Sequence, residues 1–224
     1  MTYLLLLLPA FALALYAQFK VKSTFKKYSG VRSTRGFTGA DVATALLRKN
    51  GLISKVGIEP VPGELTDHYD PQAYKVRLSE SVYNTSTIAA MGVAAHEVGH
   101  AIQHNQQYGP LEMRHKIYPV TNFASTAAFP ILLAGIFLNL TDLLLLGIIL
   151  FSAVVVFHVI TLPVELNASR RAVIQLTEAG LVTSQEVPMV KNVLNAAALT
   201  YIAATIMAVA NLLYYLLIFL GRDE

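Results

Sequence analysis

The sequence predicts a mainly α-helical membrane protein with a minor β-element. Three observations support this fold class. First, 54% of the 224 residues are hydrophobic and only 14% are charged, far from the average of soluble proteins. Second, the chain contains four apolar runs that are long enough, or nearly long enough, to cross a bilayer. Third, the stretch between the first two runs has mixed composition, and short strand-like segments alternate there with helix-like ones.

The first apolar run, Leu4 to Phe19, predicts an N-terminal transmembrane anchor over residues 1–20. The run is slightly short, because ~30 Å of hydrocarbon needs roughly 20 helical residues, but flanking residues can extend it. A cleaved signal peptide is disfavoured because the positive charges follow the run. They are Lys20, Lys22, Lys26, Lys27, Arg32 and Arg35. The positive-inside rule then places the N-terminus outside and residue 20 onward in the cytoplasm.

Residues 21–122 are predicted to form a cytoplasmic region that combines helices with a short β-element. Thr38 to Asn50 has a capping residue, an apolar stripe and a terminal glycine, which together predict a helix. Val56 to Val61 and Tyr74 to Leu78 are strand-like. A polar loop separates the two strands. A second helix is predicted from about Thr87 through His104.

The remaining chain alternates between membrane and cytoplasm. Two apolar runs within residues 123–162, joined by a tight turn without Lys or Arg, predict a transmembrane hairpin whose tip lies outside. Pro163 predicts a break, followed by a cytoplasmic helical segment over residues 163–195. The last run predicts a C-terminal transmembrane helix within residues 196–224.

The helix predicted up to His104 carries the motif His-Glu-x-x-His, formed by His96, Glu97 and His100. Residues four apart share one face of a helix, so both histidines can direct a ring nitrogen at one metal ion. Glu97 lies beside that face, where a carboxylate could deprotonate a water activated by the metal. The flanking residues are apolar or small, which favours a zinc site over a surface helix with two solvated histidines. His104 lies about 12 Å from His96 along the axis and is predicted to be an exposed helix-end residue.

Two histidines leave a zinc ion in need of a third protein ligand. The chain has no cysteine, so the ligand must be His, Asp or Glu. Glu165 is the candidate, because it lies in a helical, apolar context just inside the membrane edge and needs a partner there. A salt bridge to Arg170 or Arg171 is the alternative. The three ligands can share one ion only if two membrane spans separate residues 100 and 165.

Further polar side chains are candidates for stabilising a transition state. His68 is a substrate-side or metal-side candidate, and the alternative is a loop histidine that organises its turn. His158 lies near the inner end of a predicted span, where an ionisable residue is a functional candidate; it either faces the metal or bonds to a neighbouring helix. The candidate set is His68, His158, Arg170, Arg171 and Tyr201.

These motifs together resemble the YugP-type neutral zinc metallopeptidases, which are membrane proteases of bacteria. The resemblance covers most of the chain and rests on Leu65 to Pro71, Val93 to Gln103 and Leu162 to Ser169. The layout is also similar, more distantly, to gluzincin membrane proteases of the HtpX and CAAX prenyl endopeptidase type. Those pair His-Glu-x-x-His with a later Glu-x-x-Ala-Asp, so the resemblance implies Glu165 as the third ligand. Ser169 stands where the relatives have Asp, and Asn167 or Ser169 would orient a ligand histidine more weakly.

The resemblance implies a zincin-like metalloprotease core attached to about four transmembrane helices. It implies a membrane-embedded zinc endopeptidase that hydrolyses membrane or membrane-proximal polypeptides. The expected location is the bacterial cell membrane, multi-pass, with the active site facing the cytoplasm. The lipid bilayer is a partner, and a membrane-protein partner or a homo-oligomer is compatible with the sequence. Nucleic acid is not an expected partner, because the net charge is only +3 and the basic residues cluster beside a membrane segment.

Three rival functions make distinct demands on the sequence. An intramembrane, site-2-type zinc protease would take its third ligand from an Asp-Gly context, and this chain has no Asp-Gly. A non-catalytic zinc-binding membrane scaffold would close its site with a fourth protein ligand, such as His68, His104 or His158. A transporter with an intramembrane metal path would have more polar residues within the spans.

Overall fold

The computed structural model describes residues 2–221, and it describes side chains from residue 7 onward. Helices make up 73% and strands 7% of the chain, so the predicted mainly α fold with a minor β-element is confirmed. In chain order the elements are α1 (Thr2–Ser29), α2 (Gly39–Lys49), β1 (Gly57–Val61), β2 (His68–Asp70), β3 (Lys75–Ser79), α3 (Glu80–Tyr83), α4 (Ile88–Asn105), α5 (Gly109–Phe137), α6 (Thr141–Glu178) and α7 (Val187–Leu220).

The chain forms two compact units from interleaved segments. The first unit comprises Met1–Gln18, Gly109–Pro163 and Thr200–Glu224, and the second comprises Phe19–Tyr108 and Val164–Leu199. The predicted division into five segments stays a prediction.

The first unit is built from apolar helices. Helices α5, α6 and α7 are each long and apolar enough to cross a membrane. Helices α5 and α6 pack closely because two glycines lack side chains: a Cβ on Gly135 would lie 2.5 Å from the Leu144 nitrogen, and one on Gly147 would lie 2.7 Å from Leu132 Cγ. Small residues allow such close approach between membrane helices. The fourth span, predicted within residues 1–20, begins outside the described side chains and stays a prediction.

Two helices continue where the sequence predicts interruptions. Helix α6 runs through Pro163 as one 38-residue helix, so the break predicted there is wrong. A proline removes one backbone hydrogen bond, and neighbouring helices can compensate for that loss. Helix α7 is likewise continuous, where the pattern predicted a surface segment ending at residue 195 and a separate span. The hydrophobic pattern changes within one continuous helix, because the first part of α7 belongs to the second unit and the remainder to the first.

The second unit contains a three-stranded sheet of order β1-β3-β2, with β1 parallel and β2 antiparallel to β3. Strands β1 and β3 lie within one residue of the predicted strands. Strand β2 lies where the sequence predicts only a polar loop. Three residues carry too little alternation to predict a strand, and β2 forms because it pairs with β3. The Arg77 guanidinium also donates to the Asp70 carboxylate at 2.6 Å.

The helices of the second unit cover a hydrophobic core. Thr38 caps α2 through a reciprocal capping box with Asp41, as the helix prediction for that stretch requires. Thr87 caps α4, which begins one residue later than predicted. Fully buried side chains from α2, β3 and α4 fill the interior, among them Leu46, Leu78 and Met91. This core holds α4, and with it the histidine motif, in a fixed position.

Candidate metal centre

The candidate metal centre lies where α4 crosses α6. Gly99 of α4 faces Ala168 of α6, and a Cβ at Gly99 would lie 2.9 Å from the Ala168 carbonyl oxygen. Only glycine fits at this contact. Because Gly99 lies between His96 and His100 on the helix, the close approach brings both imidazoles beside the segment that carries Glu165.

The side chains of His96, His100 and Glu165 converge on one point. Their three candidate ligand atoms all lie within 4.8 Å of one another. The two Nε2 atoms are 3.2 Å apart, and Glu165 Oε2 is 3.3 Å from His96 Nε2 and 3.5 Å from His100 Nε2. Glu165 is only 2% exposed. Two imidazoles and one carboxylate match the donor set of a zinc site that keeps one position open.

The outward nitrogen of His100 is held by Gln103. Its Nδ1 lies 3.0 Å from Gln103 Oε1, while Gln103 Nε2 donates to the Val164 carbonyl at 2.8 Å and to Asn167 Oδ1 at 3.0 Å. These two acceptors fix the amide orientation, so Gln103 presents an oxygen to His100. His100 therefore carries its proton on Nδ1 and directs the Nε2 lone pair toward the centre.

The outward nitrogen of His96 faces Ser169. The Ser169 hydroxyl lies 3.2 Å from His96 Nδ1 and can accept a hydrogen bond from it. With Nδ1 facing Ser169, His96 also directs Nε2 toward the centre. The residues present therefore fit a metal, because the Nε2 atoms of both histidines face the centre and each Nδ1 has a polar partner.

Asn167 and Arg171 support the Gln103 amide from behind. Asn167 Oδ1 accepts a second hydrogen bond from Arg171 Nε at 2.7 Å. Arg171 Nη1 donates to Gln106 Oε1 at 2.7 Å, and its guanidinium lies 5.9 Å from the centre of the Tyr108 ring. These contacts place Arg171 in a supporting chain of hydrogen bonds.

We expect Gln103→Met to weaken zinc binding by roughly 10–100-fold, the usual cost of removing an outer hydrogen-bonding partner of a ligand histidine. Methionine keeps the length of the side chain but cannot orient His100. Zinc affinity is measured by competition with a chelator. Gln185→Met is the control, because Gln185 is an exposed glutamine of the second unit outside this chain of hydrogen bonds. Equal zinc affinity in the Gln103 variant and the wild type would contradict the orienting role.

Glu97 lies in a buried environment beside the metal centre. Its pKa is raised to about 7, chiefly by burial and to a smaller extent by the nearby Glu165 and Asp67 charges, while His96 opposes the rise. The backbone N–H of Tyr69 in β2 faces the Glu97 carboxylate and slightly opposes the rise in its pKa. Strand β2 therefore lies beside Glu97.

Asp67 anchors the segment that leads into β2. Its carboxylate accepts hydrogen bonds from the Ser79 backbone nitrogen at 2.7 Å and from the Ser79 hydroxyl. Burial raises the Asp67 pKa, although these hydrogen bonds oppose the rise. The contact fixes the start of β2 against the end of β3, and thereby positions the Tyr69 N–H.

Two histidines of the second unit make other contacts. His68 is exposed, and its Nδ1 lies 2.8 Å from the Thr66 carbonyl oxygen, as in the turn-organising alternative. His104 is half-buried, with its Nδ1 2.9 Å from the Tyr69 hydroxyl and its ring stacked on Tyr74. The prediction of an exposed helix-end residue at His104 is therefore wrong, because the sheet packs against this end of α4. Among the described residues, neither histidine joins the cluster of three candidate ligands.

The other predicted transition-state candidates are His158, Tyr201 and Arg170. His158 and Tyr201 belong to the first unit, and His158 lines a cavity of about 330 Å³ there. Arg170 is exposed on α6.

Sequence reasoning missed three functional contacts: those of Gln103, of Asp67 and of the Tyr69 backbone. Gln103 lies one turn beyond Gly99, and a fully buried glutamine is detectable only after its surroundings are known. Asp67 and Tyr69 lie in the Leu65 to Pro71 motif. This motif contributed to the family resemblance, but the sequence assigned no role to either residue.

Replacement of Gly99 by alanine should destabilise the second unit. The new methyl group would overlap the Ala168 carbonyl, and overpacking costs about 1–3 kcal/mol, which exceeds the helix-propensity gain of up to about 1 kcal/mol. Gly92→Ala on the same helix is the control, because its Cβ would meet Val190 at 3.5 Å, an ordinary contact. Thermal unfolding measures both variants. A Gly99→Ala protein at least as stable as Gly92→Ala would contradict the close crossing.

Comparison with known proteins relates this chain to zinc peptidases. A family model described as "Putative neutral zinc metallopeptidase" matches residues 3–220. The "Putative membrane protease YugP" of Bacillus subtilis (strain 168) is 52% identical over 225 residues, and the match covers 100% of both chains. No solved structure matches the chain.

Proposed function

Since this chain belongs to the neutral zinc metallopeptidase family, we propose that it is a membrane-embedded zinc-dependent endopeptidase of the gluzincin type. Its substrates are membrane or membrane-proximal polypeptides. The observation that carries the proposal is the convergence of three ligand atoms within 4.8 Å, contributed by residues 69 positions apart in the sequence.

In this proposal His96, His100 and Glu165 hold the zinc ion. When bound, zinc supplies Lewis-acid chemistry, which acidifies water and polarises a peptide carbonyl. The Gln103 and Ser169 side chains keep the two imidazoles oriented, so the ligands need little rearrangement on binding. With three protein ligands, one position remains for water or substrate.

Glu97 acts as the general base and then as the general acid. Its carboxylate takes a proton from the attacking water and passes that proton to the nitrogen of the leaving amine. Burial of the side chain supports this role, because it raises the pKa of the carboxylate and so strengthens it as a proton acceptor. The Tyr69 N–H faces the carboxylate from β2.

Strand β2 is the proposed docking edge for the substrate chain. It lies at the edge of the sheet, and its Tyr69 backbone contacts Glu97. An extended peptide that adds alongside β2 would therefore bring a scissile bond next to the general base. We propose a zincin-like core on the same grounds, because the helix that carries the histidine motif packs against a sheet with a short edge strand.

The proposed location is the bacterial cell membrane, with four spans and the active site facing the cytoplasm. Helices α5 and α6 are joined by a short turn, and both are long enough to cross a bilayer. Two consecutive crossings return the chain to the side of the membrane from which it started. The metal centre requires this return, because its ligands come from both α4 and α6. The lysines that follow residue 19 favour the cytoplasm for that side.

Removal and return of zinc tests the proposed activity. The full chain, purified in detergent, should contain about one zinc ion per molecule and cleave an unstructured protein such as casein. A chelator should abolish cleavage, and added Zn²⁺ should restore it. Cleavage that survives complete removal of the metal would contradict the proposal. A full complement of zinc without cleavage of any polypeptide tested would favour the scaffold alternative.

A further inference from the structure

A polar cavity of about 390 Å³ lies between α1 and α7 within the second unit. Helix α1 lines it with Lys20, Thr24 and Lys27, which are four and three residues apart and therefore share one helix face. Helix α7 lines it with Asn192 and Asn195. The cavity is separate from the candidate metal centre, whose ligands lie on α4 and α6.

The two lysines of the cavity form no ion pair with any acidic side chain that the structure describes. Helix α1 contains no Asp or Glu, and neither does α7. Among the described residues, the lysines in ion pairs are Lys49 and Lys75. Lys27 lies instead over the Tyr28 ring, 5.2 Å from its centre. The cavity therefore presents two cations that no carboxylate of residues 7–221 pairs with.

Hydrogen-bond donors lie beside these cations. Thr24 is only 8% exposed, and its hydroxyl makes no side-chain hydrogen bond within the part of the chain that the structure describes. Asn192 donates to the Tyr28 hydroxyl at 3.0 Å, which joins the two helices and fixes the wall of the cavity. Two ammonium groups, a hydroxyl and an asparagine amide form a donor set that suits a phosphate.

The position of the cavity in the chain favours a lipid as the source of that phosphate. Lys20 directly follows the apolar run that ends at Phe19, and Asn195 directly precedes the apolar run that begins at Ala196. These residues lie where each helix passes from apolar to polar composition, which is the level of lipid headgroups if both helices cross the membrane as in the proposed topology. Basic pockets between helices at this level bind anionic headgroups. We propose that this cavity binds the phosphate of an anionic phospholipid headgroup.

Lipid titration of the full chain in detergent tests this site. Short-chain phosphatidylglycerol should raise the thermal unfolding midpoint in a saturable manner, because a ligand that binds the folded state stabilises it. Phosphatidylcholine, whose headgroup is neutral overall, should give a much smaller shift. The Lys20→Gln/Lys27→Gln variant should bind phosphatidylglycerol roughly thirtyfold more weakly.

The matched control is Lys22→Gln/Lys26→Gln, which removes the same charge from the same helix but outside the cavity lining. We expect this variant to bind within about threefold of the wild type. Thr24→Val provides an independent test without a charge change, and it should weaken binding about tenfold. All four lysines are exposed, so the unfolding midpoints without lipid should match that of the wild type.

Three results would overturn the proposal. If both double-lysine variants bound phosphatidylglycerol equally weakly, the binding would reflect diffuse attraction between a basic helix and anionic lipid. Equal shifts with phosphatidylcholine and phosphatidylglycerol would remove the requirement for an anion. Saturation by millimolar inorganic phosphate, with no further shift from phosphatidylglycerol, would assign the site to a free anion. The readout is binding, so it is independent of the proposed peptidase activity.

Discussion

Glu97→Gln should lower peptide hydrolysis by roughly 10²–10⁴-fold, the usual contribution of a positioned general base, while the protein keeps its zinc and its fold. The amide has the size of the carboxylate and can still accept the Tyr69 N–H, so the packing around α4 is preserved. It cannot take a proton from water. The turnover number should therefore fall, and the zinc content should stay at about one ion per chain.

The measurement pairs a cleavage assay with metal analysis of the same preparation. Glu80→Gln is the control, because Glu80 is an exposed carboxylate of the second unit on α3. Cleavage by Glu97→Gln at the rate of the control would remove Glu97 from the proposed mechanism. Loss of zinc together with activity would show that Glu97 holds the metal centre together.

Glu165→Gln should remove zinc and activity together. The side chain is 2% exposed and its carboxylate lies within 3.5 Å of both imidazole Nε2 atoms. A neutral amide is a much weaker zinc ligand than a carboxylate. We expect zinc affinity to fall by more than the roughly 10–100-fold that loss of an outer partner costs. This result would distinguish the metal-ligand role of Glu165 from the general-base role of Glu97, because the Glu97→Gln protein is expected to keep its zinc.

The control for this variant is Glu178→Gln, which lies on the same helix and pairs with Lys49 at the surface. Chelator competition measures zinc affinity in both proteins. Wild-type affinity in Glu165→Gln would disprove the assignment of the third ligand, and the convergence seen in the structure would then reflect an ion pair with the histidines. Wild-type affinity in Glu178→Gln is the expected result, because its partner lies away from the centre.

Local pattern was sufficient to predict much of the fold. The capping box and apolar stripe of α2 are encoded within a dozen residues, and the structure has a helix there. The lengths of the two apolar runs within residues 123–162 predicted the α5–α6 hairpin, because a run of that length favours a helix that can cross the bilayer. The spacing of His96 and His100 required only helical geometry. In each case the determining interactions lie close together in the sequence.

Long-range contacts decided the remainder. Strand β2 exists because β3 pairs with it, and His104 is covered because the sheet lies against the end of α4. Helix α6 continues through Pro163, where the local pattern favours a break.

The composition and the motif by themselves determined that this is a mainly helical protein of membrane character with two imidazoles on one helical turn. Only the tertiary structure decided that Gly99 meets Ala168, that Gln103 and Ser169 face the outward nitrogens, and that the Tyr69 backbone lies beside Glu97. The reason is physical. Helix spacing fixes neighbours three or four residues apart, whereas a contact across some 70 residues depends on how every intervening element packs.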